Sequence, residues 1–144
     1  MEENRSRIEE LRLYLFGVIN SLTEDRTYQI GADMLGKNVG DYSLDKIPTN
    51  TNVSRWIVGT TIKRDVFSFR SRKPYSQHTM DNLNNIGFFE AFENKIKSNN
   101  DKGILPNIDK IESIECLNCG TLNNVVDGTQ ATFDIQIQIT YREE

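Results

Sequence analysis

The closing stretch of the chain alternates without a break. Ala131, Phe133, Ile135, Ile137, Ile139 and Tyr141 take one parity, and Thr132, Asp134, Gln136, Gln138 and Thr140 take the other. A period of two over this span predicts a half-buried strand. Its polar side is amide and hydroxyl rather than Lys and Glu, which reads either as a solvated sheet face of high β-propensity or as the chemistry expected where another surface comes to lie on a sheet.

The start of the chain has the helical period instead. Ile8, Leu11, Leu15, Val18 and Leu22 recur at spacings of three and four, and Tyr14 and Ile19 widen the stripe. Glu3, Glu9 and Glu10 sit near the beginning, where the helix dipole favours acids, so a helix is expected over Arg5–Leu22. Thr27–Ile30 reads as a short strand broken by Gly31. Gly36–Asn52, with two glycines and one proline, reads as a loop. From Arg55 to Arg72 the chain is extended: Trp56, Val58, Thr60 and Ile62 alternate, and Phe67 and Phe69 share a face opposite Val66. Gly59 marks either a bulge within one long strand or a turn between two strands.

A second helix is expected over Ser76–Lys97, with a buried stripe of Leu83, Ile86, Phe89, Phe92 and Ile96. Gly87 within it costs about 1 kcal/mol against alanine, and Asn99, Asn100 and Gly103 end it. Ile104–Ile108 is a loop and Lys110–Leu117 a strand. Asp127-Gly128 is a hairpin signal leading into the final strand. The element order gives one α+β domain over residues 1–144, a mostly antiparallel sheet with two main helices packed on one face.

Composition narrows the function classes. The 144 residues suffice for one core. A hydrophobic content of 37% with 26% charged residues fits a soluble globular protein. The net charge of −4 offers no bulk attraction for nucleic acid. No apolar run approaches the roughly 18–20 residues that span a bilayer. MEENRSRIEELRLYLF is charged and then amphipathic, unlike an export signal, and two cysteines suit a reducing compartment.

Candidate chemistry is sparse. Cys116 and Cys119 form a C-x-x-C, which elsewhere makes a zinc half-site or a redox pair. Zinc needs four ligands, however, and the chain has one histidine, His78, and no second C-x-x-C. A thioredoxin-like pair belongs where a strand enters a helix, and this one precedes an Asn-rich turn. Partly buried thiols are the simpler expectation. His78 lacks a nearby nucleophile, and Asp33, Asp41, Asp45, Asp109, Glu112 and Glu115 show no paired-carboxylate spacing. No glycine-rich phosphate loop is present. Neither a metal, a cofactor nor a catalytic residue is assigned. The basic stretch Lys63–Lys73 reads either as a phosphate-contacting strand or, more simply, as a strand with a charged outer edge that resists further pairing.

Three segments, in order, resemble small proteins encoded in the head-to-tail region of tailed-phage genomes. They are DVFSFRSRKPYS (Asp65–Ser76), NLNNIGFFEAFENKI (Asn82–Ile96) and ILPNIDKIESIECLNCGTLNNVVDGTQATFDIQIQITY (Ile104–Tyr141), with DYSLDKIPTN (Asp41–Asn50) fitting a fourth. The resemblance spans roughly residues 40–142, leaving the first helix without a family signature. Those proteins are labelled minor capsid, tail completion or tail terminator proteins. The resemblance implies a non-enzymatic ring, typically a hexamer, capping the head-proximal end of a tail tube. The partners would be its own copies, the tube protein and a head-tail connector, in a virion neck assembled in a bacterial cytoplasm. Candidate contact residues on this reading are Thr132, Asp134, Gln136, Gln138, Thr140, Tyr42, Ile47, Trp56, Arg70 and Arg72. The alternatives are a head-completion or connector protein of the same neck and a cytoplasmic metal or redox module using Cys116 and Cys119. A small nucleic-acid-binding protein using Lys63–Lys73 is a further alternative.

Overall fold

The computed structural model describes residues 6–23, 30–32, 41–48, 52–55, 61–74, 79–118, 121–125 and 130–143. Among the described residues two helices, α1 (Arg7–Leu22) and α2 (Thr79–Asp101), accompany seven strands. These are β1 (Ile30–Ala32), β2 (Tyr42–Ile47), β3 (Asn52–Arg55), β4 (Thr61–Pro74), β5 (Ile111–Cys116), β6 (Thr121–Val125) and β7 (Gln130–Glu143).

The sheet is built on β4 and β7, which pair antiparallel over their whole length, from Thr61 opposite Glu143 to Pro74 opposite Gln130. Each then carries two short strands on its other side. The C-terminal half of β4 pairs with β2 and its first residues with β3. The C-terminal half of β7 pairs with β5 and its N-terminal half with β6. β1 adds to β2 in parallel, and every other pairing is antiparallel.

The alternation in β7 does what its period demands. Ala131, Phe133, Ile135, Ile137, Ile139 and Tyr141 are buried, joined by Phe67 and Phe69 of β4 and by Tyr42 and Leu44 of β2. Both helices cover this inner face. α1 contributes Leu11, Leu15, Val18 and Ile19, and α2 contributes Phe89, Phe92 and Ile96. An aromatic row runs through the core: Tyr42 stacks on Phe69 with centroids 5.1 Å apart, and Phe69 on Phe92 at 5.3 Å, in the offset range such pairs favour.

Local chemistry sets the helix ends. The Ser6 side chain accepts a hydrogen bond from the Glu9 N–H at 3.3 Å and caps α1, with Glu9 and Glu10 in the first turn. α2 ends in a Schellman motif: Gly103 at φ +75 puts the chain in the left-handed region, the Ile104 N–H reaches the Asn99 carbonyl at 2.8 Å, and the Gly103 N–H reaches Asn100 at 3.2 Å. Asn99 and Asn100 are therefore helical, and the stop lies at Gly103.

Several sequence expectations need correction. Gly36–Asn52 contains β2, where a loop was expected. Its period of two is short and sits among Asn, Asp and Gly. Pairing with β4 and burial of Tyr42 and Leu44 supply what local propensity does not. α2 is shifted along the chain, and Ile86 is half exposed rather than part of the buried stripe. By contrast, the division into two strands suggested by Gly59 agrees with β3 (Asn52–Arg55) and β4 (Thr61–Pro74), although residues 56–60 lie outside the described residues. The basic segment lies on β4, which has partners on both sides and is no edge; its Lys63 and Lys73 fall on the inner parity and Arg64, Arg70 and Arg72 on the outer.

Candidate interaction surface

The outer face of the sheet collects most of the residues singled out by pattern. Register sets Thr132 opposite Arg72, Asp134 opposite Arg70, Gln136 opposite Ser68 and Thr140 opposite Arg64; Gln138 faces Val66, whose other neighbour is Ile47. Asp134, Gln136, Gln138, Thr140, Arg70 and Arg72 are half-buried, as is Ile47, while Thr132 is buried.

These side chains are bonded across strands. Arg70 Nε donates to Asp45 Oδ2 at 2.6 Å, and the Ser68 hydroxyl donates to Asp134. Gln138 Nε2 donates to Glu115 Oε1 at 2.8 Å, and Arg142 Nε to Glu112 Oε1 at 2.8 Å. Charge-assisted bonds of this kind fix orientation more firmly than neutral ones. The face thus has a neutral centre of Gln and Thr between charged groups held on β2 and β4 at one side and on β5 at the other. Asp45, Ser68, Glu112 and Arg142 were not among the expected residues. Only strand register reveals them as partners, and no single segment carries that signal.

Tyr42 lies apart from this set. It is on the inner face, 3% exposed, stacked on Phe69 and accepting a hydrogen bond from Lys73 Nζ at 2.8 Å. The odd residues of β2 point outward and its even ones toward the helices, and the parity of Tyr42 puts it in the core. Lys73 also sits over the Phe88 ring, 3.7 Å from its centroid, a cation–π contact strengthened by exclusion of water. Trp56, His78 and Cys119 lie outside the described residues.

The inner face holds one further ionic cluster. Asp65, 1% exposed, accepts from Arg7 Nε at 2.8 Å and from the Tyr141 hydroxyl at 3.4 Å, with Lys46 Nζ 3.8 Å away. Arg7 stacks on Tyr141, 4.6 Å from the ring centre. The cluster ties the first turn of α1 to β4 and β7. The Tyr14 hydroxyl donates to the Ile104 carbonyl at 2.8 Å. Burial raises the Tyr14 phenol above its ordinary value, and a hydrogen bond with Asn99 pulls it the other way.

The surface can bind by hydrogen bonding and shape. Cys116 is half-buried and not in a disulfide. Among the described residues no three His, Cys, Asp or Glu side chains gather to hold a metal ion, and no helix is long and apolar enough to cross a membrane. No protein-family model matches the chain, and a search of the curated proteins finds no relative.

Proposed function

We propose that the protein is a structural neck component of a tailed phage or phage-like particle: a tail terminator that forms a ring on the head-proximal end of the tail tube. The observation that carries this reading is the outer sheet face. Its centre is uncharged, hydrogen-bonding and half-buried, while both helices pack on the opposite side. Gln and Thr can pair across a subunit boundary without the desolvation cost of charges. The motif segments support the reading too, since DVFSFRSRKPYS falls largely on β4, NLNNIGFFEAFENKI on α2 and the closing segment on β5 to β7. A closed ring uses two different patches head to tail, and the sheet face supplies one of them. The ring stops tube growth and presents a surface to the connector, with no catalytic step.

Electron microscopy of particles from a strain lacking the gene tests this. Tubes of uncontrolled length, unattached to heads, are expected. Tails of normal length that fail to join heads would move the protein to the connector side of the neck. Wholly normal particles would overturn the reading.

A further inference from the structure

We infer that the chain is two copies of one helix-and-strand unit, related by a two-fold axis through the β4/β7 seam, and that this seam is a self-association surface across which two copies of the chain exchange halves. The inference stands on strand register and is independent of the ring.

The first unit is α1 with β2, β3 and β4, and the second is α2 with β5, β6 and β7. Each begins with a helix, continues through two short strands and ends in a strand of 14 residues; β1 is an addition to the first. Adding 70 to a residue number of the first unit's strands gives its counterpart in the second, and the pairings then coincide. Leu44 opposite Phe69 becomes Ile114 opposite Ile139, and Ser54 opposite Ile62 becomes Asn124 opposite Thr132. The irregularity repeats too: the register shifts between Asn52 and Ser54 in one unit and between Leu122 and Asn124 in the other. A bulge is a local feature of one place in a strand, so its recurrence marks a shared backbone plan rather than the general regularity of sheets. Phe67 and Ile137 are counterparts and also face each other in the seam, so the axis passes between them. Few residues are identical, Ser43 with Ser113 and Arg72 with Arg142 among them. The repeat is written in register rather than in sequence.

Each helix is tied to its own unit. Arg7 of α1 bonds Asp65 of β4 at 2.8 Å, and Asn100 of α2 accepts from the Ile114 N–H of β5 at 2.9 Å. Parting the units opens the β4/β7 ladder and the contacts across it, such as Phe69 on Phe92 at 5.3 Å. A second copy offers every one of those contacts back, so exchange removes none of them. Four residues, 75–78, join Pro74 to Thr79. A connection this short between exchangeable parts favours exchange.

Ser68 and Gln136 supply the reporter. They face each other in the seam, and the Gln136 carbonyl and N–H are bonded on the other side, to the Leu117 N–H and Asn118 Oδ1. The pair is therefore of the close, non-hydrogen-bonded kind that a disulfide spans. Ser68→Cys chains and Gln136→Cys chains are mixed, unfolded and refolded at high concentration under a mild oxidant. The expected product is a dimer in which peptide mapping finds position 68 linked to position 136, a bond that neither chain can make alone. The double variant Ser68→Cys/Gln136→Cys, refolded dilute, closes the same bond internally and checks fold and register. Deleting residues 76–77 is expected to shift the equilibrium toward dimer by roughly tenfold or more, and a Gly/Ser insertion at the same place to shift it back. Monomer alone at every concentration, a dimer without the 68–136 link, or a connection whose length has no effect would overturn the inference.

Discussion

The two faces of β7 are made of one strand and obey different chemistry. On the inner face, Ile135, Ile137 and Ile139 are at most 1% exposed and touch both helices through a single apolar cluster. On the outer face, Asp134, Gln136 and Gln138 are half-buried, with Asp134 accepting from Ser68 and Gln138 donating to Glu115 across neighbouring strands. Removing an inner residue leaves a void that packing cannot refill. Removing an outer one leaves water or a neighbour to take its place. The inner face sets the fold, and on the proposed reading the outer face is where substitution changes association while the fold survives.

The sharpest way to break that contrast is in the core. Phe92→Ala, at the meeting of α2 and the aromatic row, is expected to cost about 3–5 kcal/mol, and Ile137→Ala about 2–5 kcal/mol, read by denaturant unfolding. If either cost no more than an outer-face change, the two faces would not differ as described. The ionic cluster comes next. Asp65→Asn removes a buried carboxylate from Arg7 and Tyr141 and is expected to lower stability by about 1–3 kcal/mol, and the first turn of α1 should lose hydrogen-exchange protection before the sheet does. Gln136→Ala should stay within about 0.5 kcal/mol of the parent, which an unfolding midpoint resolves.

The smallest effect concerns pH. Because the Tyr14 phenol is raised in the folded protein, the folded state holds its proton more tightly than the unfolded chain does. The associated stability is present below the ordinary value of 10.0 and is lost as pH rises from there through the folded value. Comparing melting curves of the protein and of Tyr14→Phe across that alkaline window should show a steeper loss in the parent. Parallel curves would place the phenol in a more solvated setting.

Much of this was legible in the sequence because it is written in periods. The strand from Ala131 to Tyr141, helix α1 and the Phe89, Phe92, Ile96 stripe all follow from spacing alone. What escaped depends on distant parts of the chain. β2 forms because Tyr42 and Leu44 find β4, and Tyr42 joins the core because of its parity in that pairing. The position of the basic segment inside the sheet follows from β2, β3 and β7 arriving on both sides. The candidate surface was legible on β7, where the alternation is long, and illegible in its partners Asp45, Ser68 and Glu115, which only register brings together.

The central claim is that the outer face works in assembly rather than in folding. The direct measurement is complementation of a gene-deleted strain by Gln136→Arg/Gln138→Arg, with the variant's melting temperature recorded beside the parent's. The account predicts a variant that melts close to the parent and leaves tails of uncontrolled length without heads. Normal particles from a folded variant would contradict it.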